Sequence, residues 1–456
     1  MAPRRLAIVH VTVVDPGSGA EEPDRAIVID GDRISMVVAA DAVPDSPAVR
    51  SIDAHGKYVI PGLWDMHVHF IDPASGKLFV ANGVTGVRVM WGNPQFAPGV
   101  GRVHDEMRRG FDAKSQVGPR MVIASNLFDG PHPVWPHSLS LSTPEEGRSA
   151  VDEAKASGDD FIKVYSGLPR SVFLAIADES KKQGLAFAGH VPDAVTVREA
   201  SDAGQKTIEH LTGMLFACSS READLRKRSA EIDAMPHLRA ERAELHRALR
   251  IEALTTFDVD HAAALFARLV QNGTWQTPTL TVLQAMATLD DPSHASDARL
   301  AYVSPYLRAS WDPTKDFRMK RKTPADYAQM RAAFEVQKKI VGAMSKAGVP
   351  ILAGTDEGNP FCYAGFSLHD ELGLLVSAGL SPLEALRAAT SGPAKLLGLE
   401  SSMGSIAGGK VADLVVLDAD PLVDIANTKK IRAVVSRGTF YDRAALDRLL
   451  EDVKRR

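Results

Sequence analysis

Between residues 58 and 356 the chain alternates short apolar, β-branched runs with longer helical stretches. The apolar runs are YVIPGLWDMHVH (58–69), VTGVRVM (84–90), PRMVIAS (119–125), FIKVYS (161–166), LAFAGHV (185–191), KTIEHL (206–211), TWQTPTL (274–280) and VPILAGTD (349–356). Each is followed by a segment that can be helical, most clearly SPLEALRAATSGPAKLLG at 381–398. Strands alternating with helices predict βαβ units and a parallel sheet, and eight such repeats close naturally into a (β/α)8 barrel.

The two ends of the chain carry a different pattern. LAIVHVTVVD, RAIVIDGDRISMVVA and AVRSIDAHGKYVIPG near the start, and SIAGGKVADLVVLDAD and IRAVVSRGTFYD after Gly404, are short strands separated by Gly, Asp and Pro turns. The expected organisation is a composite β domain from 1–60 plus 399–456 beside a barrel over 61–398. Two Arg-, Glu-, Ala- and Leu-rich segments, 213–272 and 283–346, exceed simple connections and read as helical insertions on that barrel.

Composition narrows the function class. The 456 residues include 53 Lys plus Arg against 57 Asp plus Glu, a formal charge of −4, without a basic stretch. That balance argues against nucleic acid or an anionic membrane as partner. A content of 45% hydrophobic and 24% charged residues excludes wholesale disorder. No apolar run approaches the roughly 20 residues needed to cross a bilayer. The opening MAPRRLAIVHVTVVD is valine-rich and lacks a small-residue cleavage site, so it reads as a first strand rather than a leader. Two cysteines, Cys218 and Cys362, make no disulfide framework and fit a cytoplasmic protein.

Candidate chemistry begins at His67 and His69, an HxH at the end of the first barrel run. A spacing of two sets both imidazoles on one face of a strand, where they can converge on one ion. Alone, the pair fits two hydrogen-bonded histidines equally well. Its position matters, because barrel catalysis occurs at the C-terminal ends of strands. His190 ends the fifth run, His210 the sixth and Asp356 the eighth. Singly, each has a turn or packing explanation. Four histidines and an aspartate at one rim are hard to produce by packing, and they predict a metal centre. Lys163 sits mid-strand in FIKVYS among apolar neighbours, where an ammonium is costly unless it is paired or snorkels. An ammonium has donors only and cannot ligate a metal. A buried lysine of depressed pKa can be neutral and take up carbon dioxide as a carbamate, whose carboxylate could bridge two cations.

PGLWDMHVH, GVTGVRVM, DFIKVYSGLPR, GHVP, IEHL, AGTD, LHDELGLLVSAGLSPLEALRAATSGPAKLLGL and GGKVADLVVLDADPL together resemble the amidohydrolase superfamily. The branch is that of imidazolonepropionase-like enzymes, metal-dependent prolidases and ochratoxin-type amidases, and the resemblance covers nearly the whole chain. It implies that His67, His69 and Asp356 hold the more buried metal and that His190 and His210 hold a second. It also implies that a carbamylated Lys163 bridges the two and that the chain ends form a small β-sandwich. The cofactor it implies is Zn2+, two per chain, with Co2+ or Mn2+ as alternatives. The implied reaction is attack of a metal-activated water on a carbonyl, with Asp356 passing the water proton to the leaving amine.

Around that set, Tyr165 points to the same side of its strand as Lys163. In the resembled prolidases a tyrosine in this setting helps hold a substrate carboxylate or oxyanion; packing of a rim loop is the other reading. His132 and His137 lie in the Pro-rich loop DGPHPVWPH after the third strand. Related enzymes carry a substrate-contacting histidine there in a Gly-Gly-His setting, which is absent here; His137 is kept as a catalytic candidate on that basis. Trp135 reads as an apolar wall or as loop packing, Asp65 as a supporting or turn residue, and His369 as a local hydrogen-bonding residue. His10, His55, His104, His237, His246, His261 and His294 have no rim placement and read as surface or packing.

Deaminases of the superfamily place a glutamate near the strand-five histidine, whereas HVPD follows here. Single-metal imidazolonepropionases do not need Lys163. The expected activity is therefore a binuclear hydrolase of amide, dipeptide or carbamate/urea-type C–N bonds acting on a small molecule. The alternatives are a mononuclear enzyme with Lys163 idle, opening a ring or cleaving aryl amides, ureas or thiocarbamates, and a non-catalytic metal-binding barrel. Homo-oligomers are common among such barrels, and no interface is identifiable from the sequence.

Overall fold

The structure, a computed structural model, describes residues 5–43, 46–92, 102–235, 239–316 and 318–454; His237 lies outside them. Two eight-stranded sheets organise the chain. In one, Leu63–Val68, Val84–Val89, Arg120–Asp129, Phe161–Val164, Phe187–Gly189, Thr207–Glu209 and Trp275–Thr277 pair side by side in chain order, all parallel, with the short Leu139–Ser140 against the end of the third. The segment after Val349 supplies the eighth barrel position as irregular backbone rather than a regular strand. It bridges the seventh strand at Gln276–Ile351 and the first at Val68–Glu357, and Met66 N–H donates to the Ala353 carbonyl at 2.9 Å. The ring therefore closes, as the eight apolar runs predict.

The run 58–69 is one apolar stretch in the sequence but belongs to two sheets. Tyr58–Pro61 pairs antiparallel with Leu414–Leu417 and parallel with Arg5–Val14, while Leu63–Val68 enters the barrel. The crossing is at Gly62, where a Cβ would lie 2.0 Å from the Thr85 hydroxyl oxygen; only glycine fits there. The second sheet is mixed and unites both chain ends, with Arg5–Val14, Glu21–Asp30, Arg33–Ala39 and Val49–Asp53 from the start and Leu414–Leu417, Ile431–Ser436 and Thr439–Asp442 from the end. Asp413 fastens it to the barrel: its carboxylate accepts from Arg120 at 2.6 Å and from the Arg437 N–H at 2.6 Å, and its carbonyl accepts from Gly62 N–H at 2.8 Å.

Several helices start where the sequence offers Thr-Pro or Ser-Pro. Thr143, Thr323 and Ser381 each accept the N–H three residues on, followed by proline in the first turn. The two long segments divide differently from the sequence expectation. Val259–Asn272 packs on Val197–Asp202, and Pro324–Lys346 packs on Leu280–Ala287 and Phe366–Ser377, so the last helix of each segment belongs to the barrel's outer ring. Between Ala287 and Pro324 the chain is short 3-10 turns and one short helix, Pro305–Ser310, rather than long helices. No described helix is long and apolar enough to cross a membrane.

Candidate metal centre

His67, His69, His190, His210 and Asp356 meet at the C-terminal rim of the barrel. At that rim the backbone leaves the strand direction abruptly: Phe70, His210, Thr279 and Asp356 all have positive φ, between 49° and 59°. Each such residue costs about 1–3 kcal/mol, and such strain persists where the surrounding structure enforces it.

The closest convergence is His67, His210 and Asp356, whose donor atoms lie within 4.8 Å of one another. Asp356 Oδ1 is 2.8 Å from His69 Nε2 and 3.3 Å from His67 Nε2. His210 stands between His67 and His190, its ring 4.5 Å from that of the first and 5.0 Å from that of the second. Burial, with Lys163 and neighbouring histidines, holds His67 and His190 well below the ordinary imidazole range, and burial lowers His210 too. Burial works against ionisation of Asp356, yet His210, His67 and His69 together hold its carboxyl far below the usual range. Neutral imidazoles facing an ionised carboxylate are the donor set that a divalent cation needs. The fit is supported by His67 Nε2, which is buried and makes no hydrogen bond.

Each histidine's other ring nitrogen is held from behind. His67 Nδ1 meets Glu209 Oε2 at 2.7 Å, so the imidazole carries its proton there and leaves Nε2 as a lone pair. His190 Nδ1 meets Ser166 Oγ at 2.8 Å and His210 Nδ1 meets Thr279 Oγ1 at 2.7 Å. The Thr279 hydroxyl donates to the Pro278 carbonyl at 2.7 Å, so it accepts from His210. Three buried acids support this side of the site, two bracing the backbone and one the His67 ring. Asp65 accepts the His67 and Thr355 N–H groups and the Thr355 hydroxyl, tying the first strand to the eighth segment; burial pushes its carboxyl up to about 7. Glu357 accepts the Phe70 N–H at 2.8 Å, and burial pushes it up to about 8. Glu209, paired with Arg88 at 2.9 Å, is the third. Glu209, Arg88 and Glu357 escaped the sequence reading. So did His104, read as surface or packing: it is buried, and its Nε2 lies 3.1 Å from the His69 carbonyl and 3.3 Å from that of Phe70.

Lys163 is 1% exposed. Its backbone N–H donates to Ser125 Oγ at 3.1 Å, and no side chain among the described residues is in hydrogen-bond or ion-pair contact with its ammonium. Burial lowers the amine to about 8. Space beside it depends on Gly189, whose φ is 134° and where a Cβ would lie 3.1 Å from Lys163 Cδ and 2.2 Å from the Val164 carbonyl oxygen. Tyr165 stacks on His190 with ring centroids 4.0 Å apart, and its hydroxyl accepts the Trp135 indole N–H at 2.8 Å. Arg318, from the second long segment, lies over Trp135 at 5.2 Å and donates to Asn359 at 2.9 Å. Trp135 therefore joins the loop to Tyr165 and to Arg318. His132 and His137 are exposed in the same loop; His137 adopts φ 69° and its carbonyl accepts from Asn126 at 2.8 Å. His369 meets the Asn82 carbonyl and Thr428 Oγ1 at 3.0 Å each, away from the cluster, as a structural residue.

Comparison with known proteins agrees with this geometry. Imidazolonepropionase of Micrococcus luteus is 26% identical over 428 residues, 92% of this chain and 93% of that relative. Dihydroorotase of Pelotomaculum thermopropionicum matches only locally, 39% over 69 residues, and this chain spans 15% of that relative's length. Among solved structures, bottromycin amidohydrolase superposes with a TM-score of 0.76 at 25% identity, over 99% of this chain and 91% of that one. A Xaa-Pro dipeptidase shares the fold with a TM-score of 0.67 at 20% identity, over 96% and 100%. The sequence profile of the Amidohydrolase family matches residues 58–440, from the strand that leads into His67 to the last strands of the mixed sheet, and the chain belongs to that family of hydrolases acting on carbon–nitrogen bonds.

Proposed function

We propose that this chain hydrolyses an amide, dipeptide or carbamate/urea-type C–N bond with two zinc ions bridged by a carbamylated Lys163. The observation that carries the reading is Lys163 itself: a fully buried lysine on the fourth strand, without a contacting counter-ion among the described residues, beside four histidines and an aspartate. In this reading His67, His69 and Asp356 hold one ion, His190 and His210 the other. Divalent cations held there would supply a water of lowered pKa and polarise the scissile carbonyl. Asp356, ionised by its histidine neighbours, is the carboxylate that would accept a proton at this rim and deliver it to the leaving nitrogen. Tyr165, whose oxygen already accepts from Trp135, keeps its O–H free to donate to the developing oxyanion or to a substrate carboxylate. His137 is assigned no proton transfer and is left to contact with the outer part of the substrate.

Elemental analysis of protein purified without chelator tests the reading. About two zinc-class ions per chain, falling in Lys163→Ala, support it; about one ion, unchanged by that substitution, overturns it. A second reading, one ion with Lys163 idle, is favoured by the three-residue convergence of His67, His210 and Asp356. The two buried free thiols fit a reducing, cytoplasmic setting. For the substrate we infer a carboxylate on the leaving group, supported by Tyr165 and Arg318 at the mouth and by likeness to a Xaa-Pro dipeptidase. Equal turnover of N-acyl amino acids and their carboxamides overturns that inference.

A further inference from the structure

We propose that the buried Arg88–Glu209 pair is the positioning device of the metal centre, fixing His67 as an Nδ1–H donor so that its Nε2 points at the ion. Glu209 is fully buried, and both of its oxygens are engaged. Oε2 meets His67 Nδ1 at 2.7 Å; Oε1 accepts from Arg88 at 2.9 Å and from the Thr207 hydroxyl. Arg88, 2% exposed, spends its guanidinium on the barrel interior. Its Nε donates to the Met66 carbonyl at 2.7 Å, the residue before His67, and its terminal nitrogens donate to Thr207 at 3.0 Å and Thr277 at 3.3 Å. One cation thus ties the first, second, sixth and seventh strands directly beneath the cluster.

The chemistry of the pair follows from its burial. A carboxylate removed from water costs heavily unless it is paired. Arginine stays protonated in proteins, and its guanidinium donates to Glu209 Oε1, leaving Oε2 as the acceptor that faces His67. An ionised acceptor behind an imidazole selects the tautomer and raises the basicity of the opposite nitrogen. Glu209 also precedes His210, so a single two-residue step orients a histidine of each predicted half-site.

This inference rests on the cluster being a divalent-cation site, and Co2+ titration of metal-stripped full-length protein separates the two ideas. Binding and the visible ligand-field spectrum are read for wild type, Glu209→Gln, Arg88→Met and the double variant, each first confirmed folded by circular dichroism. Glu209→Gln is expected to weaken Co2+ binding roughly 10–100-fold and to shift the spectrum. Arg88→Met in the Glu209→Gln background is expected to add no further loss, because Arg88 acts through Glu209. The double variant removes both buried charges together and keeps the test open where a single variant fails to fold. Folded Glu209→Gln and double variants that bind Co2+ within about twofold of wild type, with the same spectrum, overturn the proposal while leaving the metal site standing. Independent, additive losses from the two substitutions remove Arg88 from it. Wild type that takes up no Co2+ overturns the metal reading and this inference together.

Discussion

His67 and His190 end strands of the same barrel and carry the same imidazole, yet they are braced differently. His67 is backed by a carboxylate that is itself paired with an arginine, whereas His190 is backed by a serine hydroxyl, and His210 likewise by a threonine hydroxyl. On the first side, two more buried acids, Asp65 and Glu357, hold the backbone that carries the HxH pair. The lysine side has neutral hydroxyls and an aromatic stack of Tyr165 on His190. Charge-assisted hydrogen bonds are shorter and roughly twice as strong as neutral ones. The difference teaches that the His67 side is held by charge-assisted contacts and the His190 side by neutral ones, so the two sides should respond differently to loss of their braces.

Asp356 faces His67, His69 and His210 at 3.3, 2.8 and 3.8 Å, so its loss is expected to have the largest effect. Asp356→Asn should lower kcat/KM by roughly 10³-fold or more and reduce bound metal. Retained activity would break the comparison at its centre. Lys163→Ala should follow, at roughly 10²-fold, with metal lost from the His190 half alone. Because the neutral amine is the form that attacks carbon dioxide, and burial sets the Lys163 amine at about 8, reconstitution at fixed dissolved carbon dioxide should be faster above about pH 8 than near pH 6. The opposite order would remove the carbamate from the account.

Smaller effects should distinguish the braces. Ser166→Ala and Thr279→Val each delete one neutral hydrogen bond, worth about 1 kcal/mol, and should weaken metal retention about fivefold. An effect as large as that of Glu209→Gln would erase the distinction between the halves. His104→Gln should be the mildest, within about twofold in metal affinity, because the amide can still donate to the His69 and Phe70 carbonyls. A stability and metal titration of that variant beside His104→Ala measures how much the brace behind His69 contributes.

The histidines, Lys163 and Asp356 were legible in the sequence because strand ends and a spacing of two have a direct geometric meaning. Glu209 was not, because on a regular strand neighbours point to opposite faces, so a glutamate beside an inward histidine should look outward. The positive φ of His210 breaks that alternation, and both side chains serve the interior. Asp356, at the end of the eighth run, lies in the same kind of kink. Arg88 in GVRVM carried no sign of its partners, which come from strands more than a hundred residues later. The first run likewise concealed its division between two sheets, since hydrophobic pattern reports burial and not the identity of the neighbour. Helical composition in 213–272 and 283–346 did not tell ring helices from additions, because both bury one apolar stripe.

The passage of one segment through both sheets at Gly62 sets an order of events during synthesis. Tyr58–Pro61 runs straight into the strand that carries His67 and His69, and its antiparallel partner is Leu414–Leu417, more than 350 residues downstream. A growing chain emerging N-terminus first can assemble every barrel strand and still leave that edge unpaired. The HxH strand itself is completed earlier, when Glu357 bridges Val68, so closing the barrel and sealing the edge beside it are separate events.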